Sequence, residues 1–114
     1  MLEIIYEFTS LNKMIQANRG NYHIGNKIKQ TETEVVRLSA LGHAPFNTPC
    51  RIKFTWLIKN RMTDPDNIAS AKKQILDGLV KARILPDDTH KYILGFTDEF
   101  EISDKAGVRI ELIE

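Results

Sequence analysis

The hydrophobic pattern between Cys50 and Arg83 changes from the period of a strand to that of a helix. From Cys50 to Lys59 apolar residues alternate with basic or polar ones, which predicts a strand with one apolar and one basic face. From Ile68 to Arg83 apolar residues recur at helical spacing, and Pro86 lies beyond the last of them. Each element has one apolar side to bury, so we expect helices packed against a sheet.

Weaker patterns on either side complete the predicted fold. Leu2–Phe8 alternates as a strand, Ser10–Asn26 lacks a period and is predicted to be a long surface loop, and Asn26–Leu41 is predicted to be a helix. Tyr92–Ile102 and Gly107–Ile113 are predicted to be strands joined in a hairpin. The order β-α-β-α-β-β favours an α/β (α+β) fold, with a mixed β-sheet covered by two helices.

Size and cysteine content narrow the class of protein. With 114 residues, the chain is predicted to form a single domain over residues 1–114. The single cysteine, Cys50, excludes an internal disulfide, and His23, His43 and His90 show no metal-ligand spacing. The N-terminus lacks the pattern of a secretory signal, and no apolar run approaches about 20 residues. We therefore expect a soluble, cytoplasmic protein with no membrane partner.

The charges divide along the chain. Residues 1–63 contain nine Lys and Arg against four Asp and Glu, net +5, whereas residues 64–114 contain seven against eleven, net −4. Such a division suits a protein that holds a polyanion with one part and a cation with the other. Chance clustering on a solvated surface is the alternative interpretation of the charges alone.

Two carboxylates lie between the predicted strand and the predicted helix, in Asp64-Pro65-Asp66-Asn67. Pro65 favours extended backbone at Asp64, and residues i and i+2 of an extended segment project to the same side. Mg²⁺ prefers oxygen ligands and is commonly held by one or two protein carboxylates plus substrate phosphates, so one ion could contact both side chains. The alternative is that Asp66 or Asn67 only caps the helix.

Further charged residues follow on the polar side of the predicted helix and in the turn beyond it. Lys73 and Asp77 are four residues apart, opposite the apolar stripe, and Asp87 and Asp88 follow Pro86. Taken singly, these residues could equally form an exposed ion pair and an ordinary acidic turn.

Taken together, residues 64–88, DPDNIASAKKQILDGLVKARILPDD, resemble the core signature of the RusA family of Holliday junction resolvases. That signature is an Asp-x-Asp-Asn, a helix with a Lys and an Asp-Ala/Gly-Leu, and a Leu-x-Asp-Asp turn. The resemblance implies a RusA-like fold and a Mg²⁺-dependent endodeoxyribonuclease, with Mn²⁺ as an alternative ion, that acts as a homodimer. Such an enzyme makes paired symmetrical nicks in four-way DNA junctions in recombination and repair, and small members often come from a phage or prophage.

The resemblance also assigns roles to individual residues. Asp64, Asp66 and Asp88 match the carboxylates that bind the metal and take part in catalysis, and Lys73 matches the catalytic lysine of the helix. This chain has a few more residues between the two acidic motifs than the best-known member of the family. Lys72 therefore stays open as the alternative to Lys73, and whether Asp87 also binds the metal stays open too.

The proposed chemistry fits these residue types. Phosphodiester hydrolysis needs an activated water and stabilisation of charge on the phosphate, and a carboxylate-held Mg²⁺ supplies both. Basic side chains of the first half of the chain would contact the DNA backbone. The candidates are Lys13, Arg19, Lys27, Lys29, Lys53 and Lys59.

One geometric difficulty accompanies this interpretation. A continuous helix over residues 67–83 would be about 25 Å long, which places Asp88 far from Asp66. A break at Gly78, a shorter helix, or a dimer that lays Asp88 of one protomer beside the Asp64 and Asp66 of the other would resolve it. Two other functions stay open: a branched-DNA-binding dimer without catalysis, and a nuclease for flaps or other branched DNA.

Overall fold

The computed structural model describes residues 1–113, apart from the side chain of Tyr22. Glu114, the last residue of the predicted domain, lies outside the described residues. The elements in chain order are β1 (Leu2–Ile5), α1 (Leu11–Gly20), α2 (Tyr22–Ala40), β2 (Cys50–Ile58), α3 (Pro65–Ala69), α4 (Lys72–Lys81), β3 (Ile93–Ile102) and β4 (Gly107–Ile113). The predicted mixed sheet is confirmed, but within residues 1–113 four helices accompany it rather than two.

Strand β2 lies inside the sheet, whose order is β1-β4-β2-β3. It pairs parallel with β3 and antiparallel with β4. The predicted hairpin of the last two strands is therefore wrong. After β3 the chain passes the end of β2, where the N–H of Ser103 donates to the carbonyl of Ile58 at 2.8 Å, and returns on the other side as β4. Both edges of the most apolar strand are paired in this way, which satisfies its backbone groups.

The core forms between the apolar face of β2 and the helices. Ile52, Phe54 and Trp56 are buried on that face, as the alternation predicts. The helical stripe is confirmed as well, since Ala71, Ile75 and Leu79 are each 0% exposed.

Helix α4 crosses α2 closely at Gly78. A Cβ atom at this position would lie 2.5 Å from Cβ of Val36 and 2.8 Å from the carbonyl oxygen of Thr33. Only a residue without a side chain allows this approach, so Gly78 fixes the distance between the two helices.

The prediction of a long loop over Ser10–Asn26 is wrong, because this segment forms α1 and the start of α2. The hydroxyl of Ser10 accepts a hydrogen bond from the N–H of Lys13, and the side chain of Asn21 accepts one from the N–H of His23. These caps satisfy backbone groups at both helix starts. Helix α2 consequently begins at Tyr22 instead of Asn26, and strand β1 ends at Ile5 instead of Phe8.

The predicted helix over Ile68–Arg83 is divided into α3 and α4. Ser70 and Ala71 keep right-handed helical backbone angles at the division, and the hydroxyl of Ser70 donates to the carbonyl of Asn67 at 2.8 Å. The interruption therefore lies at these two residues and not at Gly78. No helix within residues 1–113 is both long and apolar enough to cross a membrane.

A buried carboxylate joins three segments of the chain. Glu32, on α2, is 1% exposed and accepts hydrogen bonds from the N–H and the hydroxyl of Thr9, both at 2.8 Å. Its other oxygen accepts a hydrogen bond from Nε2 of buried Gln74 on α4, at 3.1 Å. The loop before α1 and the helices α2 and α4 are therefore held together around one side chain.

Substitution of Glu32 tests this linkage. Glu32→Ala should lower the free energy of unfolding by about 2–4 kcal/mol, because the donors of Thr9 and Gln74 lose their acceptor. Urea unfolding followed by circular dichroism measures the change. Glu34→Ala, at an exposed position of the same helix, is the matched control and should leave the urea midpoint almost unchanged. Equal midpoints for the two variants would contradict the linkage.

Candidate functional site

The acidic segment Asp64-Pro65-Asp66-Asn67 forms the start of α3. Asp64 is extended (φ −65°, ψ 149°), as the following proline predicts, and Pro65 is the first helical residue. Asp64 occupies the capping position, yet its side chain makes no capping hydrogen bond. Asp66 lies in the first turn, so the extended geometry expected to align the two carboxylates holds only at Asp64. Both carboxylates are exposed.

Asn67 attaches this segment to α1. Its side-chain oxygen accepts a hydrogen bond from the backbone N–H of Asn12 at 3.1 Å. Asp66 accepts a hydrogen bond from the N–H of Asn67 at 3.0 Å, which orders the first turn. The start of α1 is thereby fixed beside the acidic segment.

A cleft of about 270 Å³ opens at the carboxyl end of β2, and we name it the β2-end cleft. Its walls come from the segment after β1, the first turn of α1, the end of β2 and the approach to α3. The side chains that matter below are Tyr6, Phe8, Ser10, Lys13, Lys59 and Thr63. Because Thr63 directly precedes Asp64, the cleft adjoins the acidic segment.

The second part of the predicted site lies on α4. Nζ of Lys73 is 3.1 Å from Oδ1 of Asp77 and 3.4 Å from Oδ2 of Asp88. Lys73 belongs to the first turn of α4, so the chain after α4 folds back and brings Asp88 beside this turn. A continuous helix over residues 67–83 would place Asp88 beyond the far end of that helix. The structure instead places Asp88 beside the first turn of α4.

The ion pairs keep Lys73 charged. The hydrogen bond and charge of Asp77, with a smaller effect of Asp88, raise the pKa of Lys73 above its ordinary value. A lysine with a raised pKa acts as a cation and does not serve as a general base near neutral pH. With 65% of its side chain exposed, Lys73 is accessible to an anionic group.

Lys72 has a different environment. Its Nζ is 2.8 Å from Oδ2 of Asp98, and it lies 5.2 Å and 4.6 Å from the ring centroids of Phe54 and Phe96. Asp98 also accepts a hydrogen bond from Nε1 of Trp56 at 2.9 Å. Lys72 is thus held against the sheet by charge and by two aromatic rings. The geometry favours Lys73 over Lys72 as the lysine of the site.

The two lysines should differ in their effect on stability. Lys72→Ala should lower the free energy of unfolding by about 1–2 kcal/mol, because the contacts with Asp98 and the two rings are lost. Lys73→Ala, the neighbouring control, should change stability little because its pairs are exposed. Thermal unfolding of both variants measures this, and a larger loss for Lys73→Ala would be contrary to the assignment.

The three predicted metal ligands do not form one group within the chain. Among residues 1–113 no set of three or more His, Cys, Asp or Glu side chains is arranged to hold a metal ion. Asp64 and Asp66 lie at the start of α3, whereas Asp88 follows α4 and contacts Lys73 in the first turn of that helix.

The predicted DNA-binding cations are distributed over several surfaces. Lys13 and Lys59 meet at the β2-end cleft. Lys29 lines another cavity, between α2 and α4, together with Asp77, Asp87 and Asp88. Arg19 on α1 and Lys27 on α2 are exposed.

Lys53 is separate from the helices and from the cleft. It alternates with buried Phe54 along β2, so it faces the opposite side of the sheet, where it pairs in register with Glu111 of β4. The structure therefore does not bring Lys53 together with Lys13 and Lys59.

Several residues that hold or line the candidate site could not be identified as such from the sequence pattern. Glu32 and Gln74 are polar residues in the middle of helices, where buried and exposed positions look alike. Tyr6 and Phe8 have the alternation of a strand, which predicts a core position instead of a cleft wall. Asn12 lies in the segment that has no period.

No family model matches this chain. Neither a curated protein nor a solved structure matches it either. The resemblance to the RusA family therefore depends on the order of residue types in 64–88 and on the chemistry that they support.

Proposed function

We propose that this protein is a RusA-like, metal-dependent endodeoxyribonuclease that resolves four-way DNA junctions by paired symmetrical nicks. The observation that carries the proposal is the acidic pair Asp64 and Asp66, exposed beside a cleft with basic side chains, while Asp64 occupies a capping position without capping. A carboxylate that makes no capping hydrogen bond has its oxygens available to bind a cation. The expected setting is cytoplasmic DNA recombination or repair, in a phage or its host.

The chemistry of these side chains fits Mg²⁺, with Mn²⁺ as the alternative. Exposed carboxylates are hard oxygen ligands, and one or two of them plus phosphate oxygens satisfy this ion. Asp64 and Asp66 would hold it, and Asp88 would complete the set. Bound there, the metal would lower the pKa of a water and polarise the phosphate. Lys73 would offset negative charge on the phosphate, because its pKa is raised.

A homodimer would unite the two parts of the site. Because Asp64, Asp66 and Asp88 do not form a metal-holding group within residues 1–113, a partner placed across a two-fold axis would supply its Asp88 to the Asp64 and Asp66 of the first protomer. A two-fold arrangement also provides two equivalent sites, which paired symmetrical nicks require. Lys13 and Lys59 would contact the DNA backbone beside each site.

Junction cleavage tests the proposal. The purified protein should nick a labelled four-way junction at paired symmetrical positions with Mg²⁺, and not with EDTA, while a linear duplex of the same sequence stays intact. Asp66→Asn should abolish the nicks but retain junction binding, because it removes a metal ligand that is exposed. Denaturing gels measure cleavage and fluorescence anisotropy measures binding. Metal-dependent nicks that persist in Asp66→Asn would refute the role of this carboxylate.

Mixed dimers test the shared site. Chains with Asp66→Asn and chains with Asp88→Asn should each be inactive alone, whereas a mixture should recover about one quarter of the active sites, because each heterodimer retains one intact site. The mixture should make single nicks. In supercoiled DNA that carries an extruded cruciform, a single nick converts the circle to its open form, which a gel separates. The unsubstituted chain mixed with Asp66→Asn is the control for the exchange of protomers, because each heterodimer formed by exchange has one intact site and makes single nicks. No recovery in the first mixture would mean that each site is built from one chain.

A second function is favoured by one observation. Because three metal ligands do not converge within residues 1–113, a dimer that binds branched DNA without cutting it is the alternative. Salt-sensitive junction binding without nicks in either Mg²⁺ or Mn²⁺ would favour it. Cleavage of flaps in preference to four-way junctions would instead indicate a nuclease for other branched DNA.

A further inference from the structure

The β2-end cleft combines aromatic and basic walls beside the acidic segment. The rings of Tyr6 and Phe8 line it, with centroids 5.0 Å apart and planes inclined by 65°. Both side chains are half-buried, so their packing against the core fixes them while part of each stays accessible. The N–H of Tyr6 donates to the carbonyl of Ala106 at 3.0 Å, which holds the backbone just beyond β1.

The tyrosine hydroxyl keeps its proton. Burial, and the negative charge of Glu32, raise the pKa of Tyr6 above its ordinary value. Tyr6 therefore presents a neutral side chain to the cleft near neutral pH.

The cations of the cleft are available to a ligand. Within residues 1–113, neither Lys13 nor Lys59 takes part in an ion pair. Glu7 also lines the cleft, so two lysines stand against one carboxylate and the local charge is positive. Ser10 adds a hydroxyl at the same wall.

The volume restricts the ligand. The cleft, at about 270 Å³, is slightly smaller than the roughly 300–1,000 Å³ of pockets that enclose small molecules, so it can seat one base, with its sugar and phosphate at the open side, but not a duplex. Aromatic side chains that stack a base and lysines that contact phosphate are the usual combination in sites for unpaired nucleic acid.

We propose that the β2-end cleft binds one unpaired nucleotide of a DNA strand, its base against Tyr6 and Phe8 and its phosphate between Lys13 and Lys59. The inference rests on the proposed function and deepens it, since Thr63 joins the cleft to Asp64. A strand seated this way carries its next phosphate towards the acidic segment. The enzyme would then select DNA that can release a base from its stack, which is easier at a branch point than in a linear duplex.

Binding to a labelled oligothymidylate in EDTA tests the cleft without any cleavage. Phe8→Leu retains an apolar side chain but loses the ring, and it should weaken binding about fivefold or more. Lys13→Gln should weaken binding and reduce the dependence of log Kd on log salt by about one charge contact. Thermal unfolding of each variant checks that the fold is retained.

Matched controls lie at the opposite end of the sheet. Phe96→Leu removes a partly exposed ring, and Lys91→Gln removes a cation just before β3. Neither should alter the affinity for oligothymidylate, because neither residue lines the cleft.

Crosslinking of the unsubstituted protein provides a measurement that needs no variant. A 4-thiothymidine oligonucleotide should crosslink to the peptide that carries Tyr6 and Phe8. Mass spectrometry of the digested protein identifies the crosslinked peptide. Crosslinks confined to other peptides, together with unchanged affinity of Phe8→Leu, would overturn the inference.

The outcomes separate this inference from the proposed function. If Phe8→Leu binds oligothymidylate normally while the unsubstituted protein still cuts junctions with Mg²⁺, the nucleotide cleft is wrong and the nuclease stands. If oligothymidylate binding depends on Phe8 and no metal supports cleavage, the cleft stands and the nuclease is wrong.

Discussion

The carboxylate of Glu32 is the interaction on which the arrangement of this fold most depends. It is buried on α2 and accepts hydrogen bonds from Thr9, before α1, and from Gln74, on α4. Burial of a carboxylate is costly unless donors surround it, and the donors of Glu32 come from the two other segments, so the three segments must stay together. The consequence reaches the candidate site, because Thr9 adjoins Ser10 at the wall of the β2-end cleft and Gln74 adjoins Lys73. A structural contact in the interior thus sets the distance between the basic cleft and the cationic start of α4.

The parts of the fold that the sequence predicts are those in which burial follows a strong period. The alternation of β2 and the helical stripe of α4 each place apolar side chains on one side, and the observed burial follows both. Helix α1 has only a short stripe, Leu11, Met14 and Ile15, of which Met14 alone is buried, and its start depends on a local hydrogen bond to Ser10. The strand order was beyond prediction for another reason. β4 pairs with β2 and β1 rather than with β3, and long-range pairing of this kind leaves no trace in local spacing.

The candidate site was predictable to a similar degree. Pro65 dictates the extended backbone of Asp64, and that part of the expectation is confirmed. The return of Asp88 to Lys73 depends on the path of the chain after α4, which is a tertiary feature that local spacing does not reveal. The adjacent lysines of α4 point about 100° apart around the helix and have different surroundings. One is held by Asp98 and two rings, whereas the other stays exposed beside carboxylates.

The central claim is that the start of α3 and the turn that carries Asp88 belong to one metal site. Paramagnetic broadening by Mn²⁺ of the amide signals in a ¹⁵N-labelled sample measures this most directly, because broadening depends on distance from the ion. The account predicts that the signals of Asp64, Asp66, Asn67 and Asp88 broaden together at low Mn²⁺, and that Asp66→Asn prevents the broadening of both segments. Broadening of one segment alone, or of neither, would contradict a shared metal site.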